Sequence, residues 1–222
     1  MTEPTASGRV IVLAGATSAA GLAVSGALRE AGARVIATGR TAERLAALDA
    51  TGAETVVADA SSLDDMTALA ARLGAVDGVI PLVGGWRGGG GLAGQSDDDL
   101  AALLPAFGAI RATSHAFDQA LRASDAGRFA TVSSTAVARP LAGGANYAAM
   151  KAAGEAWTRA VAHGFAKSAR DSGEPLRAAS VVFRARTLQP ADLAAAIAAL
   201  WNHDPADLND RTIDLPWVTD LG

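Results

Sequence analysis

The strongest constraint on how this chain can fold lies in one short stretch near its start. Val10-Ile11-Val12-Leu13 is an apolar run of strand-forming residues. The turn Ala14-Gly15-Ala16-Thr17-Ser18-Ala19-Ala20-Gly21 follows, and an apolar-periodic helix then runs to about Ala31, with Gly32 placed to end it. A buried strand that passes through a glycine turn into a helix is the opening half of a βαβ unit. At such a turn, backbone N–H groups and the helix N-terminus can hold a pyrophosphate. Thr17 and Ser18 add hydroxyl donors beside Gly15 and Gly21. The plainer reading of the same residues is a tight turn with no ligand.

The rest of the chain repeats the alternation. Arg34 to Thr38 reads as a second strand, and Thr41 as the N-cap of a helix through Leu48. Glu54 to Ala58 is a third strand. Ser61 or Ser62 caps the next helix, whose first turn carries Asp64 and Asp65 where the helix dipole favours them. Asp77 to Val83 is a fourth strand. A long helix from about Asp97 to Ala123 includes Pro105 early enough to kink it. Arg128 to Ser133, Leu176 to Phe183 and Thr212 to Leu215 complete the strands, separated by helices over Ala145 to about Ser168 and Pro190 to Trp201. This rhythm predicts an α/β fold, a doubly wound parallel sheet of about seven strands with helices on both faces. Between Gly84 and Gly94 the chain is dense in glycine, which reads either as a flexible connection or as a loop over a site at the sheet's edge.

Composition narrows the function. With 222 residues and 50% hydrophobic content, the chain suits one core, and residues 1–222 are expected to form a single domain. A net charge of −4 argues against non-specific nucleic-acid binding. Without cysteine there is no disulfide, thiolate nucleophile or cysteine metal site. His115, His163 and His203 share no ligand spacing, so no metal is expected. Met1 to Gly8 lacks the pattern of a signal peptide, and no apolar run approaches the roughly 20 residues of a membrane span. A cytoplasmic protein is the expectation.

Chemistry concentrates in Asn146-Tyr147-Ala148-Ala149-Met150-Lys151. Tyr147 and Lys151, four apart, share one face of a helix. An ammonium beside a phenol favours the phenolate, so Tyr147 is expected to pass a proton at physiological pH. Ser134 lies 147 − 134 = 13 residues upstream, at the end of the apolar run Phe129-Ala130-Thr131-Val132. Open α/β sheets place their ligands at such strand ends.

Together, the glycine turn, Ser134 and Tyr147-x-x-x-Lys151 resemble the short-chain dehydrogenase/reductase family, from about Arg9 to about Leu215. The resemblance implies a Rossmann-type fold and a carbonyl reductase or alcohol dehydrogenase acting on a small molecule. Tyr147 would then protonate the substrate oxygen, Ser134 would hydrogen-bond it, and Lys151 would hold the cofactor ribose. Gly15, Thr17, Ser18, Gly21 and Gly84 would join Tyr147 and Lys151 in binding the cofactor. Where an acid would select NAD, this chain has Gly39-Arg40, and an Arg there can pair with the 2′-phosphate of NADP. NADPH is therefore expected over NADH, although Arg40 could equally stand in the first turn of a solvated helix. Asp59 resembles the family's adenine-contacting acid, or else caps Ser61 and Ser62. Family members commonly pair through the long helices after the fourth and fifth strands, so a homodimer or homotetramer is expected.

Three features depart from the family. Pro81-Leu82-Val83-Gly84 replaces its Asn-Asn-Ala-Gly, Phe107 stands where it has a water-holding Asn, and Phe183-Arg184-Ala185-Arg186-Thr187 replaces its Pro-Gly. The last leads straight into the next helix, so the family's substrate lid is expected to be missing. These losses keep open a second reading, a non-catalytic nucleotide-sensing or interaction protein on the same fold.

Overall fold

The computed structural model describes residues 6–217, so the extreme N-terminal part of the leader expectation lies outside the described residues. The chain alternates β1 (Val10–Ala14), α1 (Ala19–Glu30), β2 (Arg34–Gly39), α2 (Ala42–Asp49), β3 (Glu54–Val57), α3 (Leu63–Leu73) and β4 (Gly78–Pro81). It continues through α4 (Asp97–Ala123), β5 (Gly127–Ser134), α5 (Ala145–Ser172), β6 (Ala178–Ala185), α6 (Pro190–Ala198), α7 (Pro205–Leu208) and β7 (Arg211–Asp214). Four helices begin at capping hydroxyls, of which the sequence reading named Thr41 and Ser62. Ser18, Thr41, Ser62 and Ser96 each accept a backbone N–H from the first turn of α1, α2, α3 and α4.

The strands form one seven-stranded sheet in the order β3-β2-β1-β4-β5-β6-β7, and every pairing is parallel. Parallel neighbours need crossovers, and the helices supply them on both faces. Strand period 2 divides the core. In β1, Ile11 and Leu13 face the layer holding Val24 and Leu28 of α1 and Ile197 of α6. Val12 and Ala14 face Met66 of α3, Phe117 of α4 and Phe165 of α5. The strand order reverses between β1 and β4, which opens a crevice at their carboxyl ends, the place where sheets of this kind bind ligands.

Several boundaries differ from the sequence reading. β4 is shorter than Asp77 to Val83. The Asp77 carboxylate turns back to accept Val10 N–H at 2.9 Å and the Ser124 hydroxyl at 2.6 Å. The helix expected over Pro190 to Trp201 stops at Ala198 and tightens to a 3₁₀ turn over Ala199–Asn202. α5 runs on to Ser172 and ends at Gly173, whose φ of +70° suits a left-handed cap. α7, with four residues, is too short to show a period. Arg128, buried to 2% exposure, donates to the carbonyls of Leu200 and His203 and so ties the end of the α6 segment to β5. Among the described residues, no helix is long and apolar enough to cross a membrane.

Candidate active site

A cavity of about 410 Å³ opens at the carboxyl edge of the sheet. Its wall combines the start of α1 (Ser18, Ala19), the exit of β4 (Pro81 to Gly85), the end of β5 (Thr131 to Ser133), α5 (Tyr147, Lys151) and the exit of β6. Of the residues singled out from sequence, Ser18, Gly84, Tyr147 and Lys151 line it. Gly15, Thr17, Gly21, Arg40, Asp59 and Ser134 stand outside its wall.

The glycine turn is built by contact. Gly15 has φ +78°, and a Cβ there would sit 2.4 Å from Val83 Cγ2. A Cβ on Gly21 would come within 2.0 Å of the Ala16 carbonyl oxygen, so only glycine lets α1 start this close to β1. The Ser18 hydroxyl accepts Gly21 N–H at 3.2 Å. Farther along the edge, Arg40 is exposed just past β2. Asp59 takes both Ser61 N–H, at 2.9 Å, and the Ser61 hydroxyl, at 2.7 Å, which realises its capping role. Burial pushes the Asp59 carboxyl up, but these bonds and the Arg40 charge outweigh it and hold it below the usual range.

Tyr147 and Lys151 meet as their spacing requires, with Nζ 5.8 Å from the phenol ring centre. The Lys151 ammonium donates to the Val132 carbonyl at 2.8 Å. Burial lowers Lys151 from its ordinary 10.5 to about 8, and the nearby Glu155 charge partly opposes the drop. Ser134 closes β5, where its hydroxyl accepts Ala136 N–H at 3.2 Å. The adjacent Ser133 lines the cavity.

Sequence reading passed over the group behind Lys151. Glu155, only 4% exposed, accepts Nε and Nη2 of Arg184 at 2.7 and 2.6 Å and the Ser133 hydroxyl at 2.6 Å. Burial alone would raise Glu155, yet the bonds from Arg184 and Ser133 hold it below the usual carboxylate range. Its bond to Glu155 raises Arg184 in turn. The legible signal was Glu155 itself, one helical turn after Lys151 on the same face. Its partners on β5 and β6 are distant in sequence.

The glycine-dense stretch is tied down, unlike a free connection. Gly89 N–H donates to the Gly143 carbonyl at 2.7 Å, and the Gln95 amide reaches the carbonyls of Gly89, Gly91 and Gly143. Gln95 Oε1 accepts Asn146 N–H at 3.1 Å, so the loop braces the start of α5 beside Tyr147. Trp86 is 60% exposed and does not line the cavity. Phe107 does line it, edge-on to Trp157 with ring centres 5.9 Å apart. β6 connects to α6 through residues 186–189 alone, too short for a helical lid.

A family model described as short chain dehydrogenase matches residues 9–169. The chain belongs to the short-chain dehydrogenase family. This short-chain dehydrogenase is similar to a metagenomic short-chain oxidoreductase solved in complex with NADP, at 26% identity and TM-score 0.78, covering 95% of this chain and 98% of that one. A short chain dehydrogenase from Salmonella enterica serovar Typhi is 20% identical with TM-score 0.82, covering 96% and 98% of the two chains. The Pseudomonas aeruginosa RhlG/NADP active-site complex is 20% identical with TM-score 0.81, covering 97% and 98%. The last two establish likeness of fold. None of the curated proteins matches the chain. As a short-chain dehydrogenase the protein has an oxidoreductase fold.

Proposed function

We propose that this short-chain dehydrogenase is an NADP-dependent oxidoreductase acting on a small carbonyl or alcohol substrate, with Tyr147 as general acid and base. The observation that carries the reading is one cavity walled by Tyr147, Lys151 and the N-terminal turn of α1. The donors fit a dinucleotide. α1 starts with its first-turn amides at the cavity wall, and Gly15 and Gly21 leave no side chain where the turn is tightest.

Gly15, Thr17, Ser18 and Gly21 would hold the pyrophosphate, with Gly84 contributing backbone at the β4 exit. Arg40 would pair with the 2′-phosphate, and Asp59, whose Oδ1 is taken by Ser61, would use its other oxygen at the adenine. When bound, the nicotinamide supplies the hydride chemistry. Tyr147 gives a proton to the substrate oxygen in reduction and takes it back in oxidation. Ser134 can accept Ala136 N–H and still donate its own proton to that oxygen. Lys151 holds the ribose. Residues 1–222 act as one domain in a cytoplasmic homodimer or homotetramer.

The test is NADPH oxidation against a panel of aldehydes and ketones. Wild type should turn over at least one compound, and Tyr147→Phe should bind NADPH with no turnover. A Phe variant as fast as wild type would overturn the mechanism. Phe107 and the short 186–189 connection favour a second reading, a nucleotide-sensing protein. Tight NADPH binding with no turnover of any carbonyl would select it.

A further inference from the structure

The charge balance of the cavity bears on what it accepts, granted that this cavity is the substrate site. Lys151, Glu155 and Arg186 are its charged wall residues. Glu155 commits its carboxylate to Arg184 and Ser133. Lys151 places its ammonium on the Val132 carbonyl beside the Tyr147 ring. Arg186 remains, exposed at the mouth, and among the described residues it has no hydrogen-bond or ion-pair partner. Asp214 pairs in register with Arg184, and Asp192 lies in the first turn of α6, yet neither forms an ion pair with Arg186.

A second observation points the same way. α6 begins at Pro190, itself part of the cavity wall, and its N-cap Gln189 makes no side-chain capping bond. The first-turn amides of α6 thus add positive potential beside Arg186, offset in part by Asp192. Ser18, Thr131, Ser133 and Tyr147 add polar groups to the wall, and the rest is largely apolar, with Leu103, Phe107, Ile110, Met150 and Leu188. With Glu155 neutralised, the site presents an unpaired guanidinium beside a largely apolar chamber.

We propose that the substrate of this site carries an oxyanion, a carboxylate or phosphate, on an apolar body, and that Arg186 is the residue that selects it. The planar guanidinium matches either group through paired charge-assisted bonds. The cofactor's own diphosphate has the same chemistry, so the test separates the two sources.

4-Carboxybenzaldehyde and its methyl ester are compared as NADPH-dependent substrates of wild type, Arg186→Gln and Arg186→Lys. Wild type should prefer the acid about ten- to a hundredfold in kcat/KM, chiefly through KM. Arg186→Gln should erase that preference, Arg186→Lys should keep part of it, and NADPH affinity should be the same in all three. Equal use of acid and ester by wild type, or a preference that survives in Arg186→Gln, overturns the proposal. A matching loss of NADPH affinity assigns Arg186 to the cofactor diphosphate and also overturns it. Calorimetric titration of 4-carboxybenzyl alcohol and its methyl ester reads the same contrast without turnover. If no carbonyl reacts but the acid binds better than the ester only when Arg186 is present, the enzyme reading fails and the anion site stands. Equal binding of the two, or none, overturns the anion site.

Discussion

Lys151 offers a sharp test of how deeply the site is set among protein atoms. Burial holds its ammonium at about 8 against an ordinary 10.5, a gap of 10.5 − 8 ≈ 2.5 pH units. The sign follows from proton counting. Below pH 8 both folded and unfolded chains carry the charge, and the folded chain bears the full desolvation cost. Between pH 8 and 10.5 the folded chain has released a proton that the unfolded chain keeps, so stability rises with pH. Integrated from pH 7 to pH 10, this gain is roughly 2.5 kcal/mol. Lys151→Met removes the titrating group and the bond to the Val132 carbonyl together. The lost bond shifts the variant's stability by an amount that does not depend on this titration, so it cancels when the comparison is made across pH. The assay is urea unfolding of both proteins from pH 7 to pH 10 at equal protein concentration, since any subunit association would otherwise enter. Wild type should gain about 2.5 kcal/mol on Lys151→Met over that range. A difference constant to within about 0.5 kcal/mol would refute the argument and mean that the ammonium is well solvated.

Arg40→Ala should weaken NADPH binding about ten- to a hundredfold and leave NADH binding unchanged, as read by parallel titrations; equal losses would remove the 2′-phosphate assignment. Glu155→Ala leaves the Arg184 guanidinium and the Ser133 hydroxyl without their acceptor, so urea unfolding should show a loss of about 3–5 kcal/mol, and a loss under about 1 kcal/mol would mean that water readily replaces the carboxylate. Light scattering at micromolar concentration should report a dimer or tetramer, and a monomer would remove the assembly expectation.

The sequence carried the fold because the fold is written locally. Short apolar strands, hydroxyl caps at Thr41 and Ser62, and a Gly15-x5-Gly21 turn each act over a few residues. Parallel strands joined by helices leave few topologies open. Tyr147 and Lys151 were legible for the same reason, since a four-residue helical spacing brings two side chains together wherever the helix lies. Boundaries such as the start of β4 at Gly78 rather than Asp77 were not legible. They depend on Asp77 finding Val10 of β1 and Ser124 at the end of α4. Nor could the sequence pair Glu155 with Arg184, because their meeting needs α5 laid across β5 and β6. The sequence left the glycine-dense stretch open between a flexible connection and a loop over a site, because the Gln95 bonds that fix it reach residues about 50 positions away. Local propensity thus determined which elements form and where the Tyr147–Lys151 pair sits. The tertiary structure decided which charges are spent on one another and which remain free, because contacts between distant segments exist only once the sheet has brought them together.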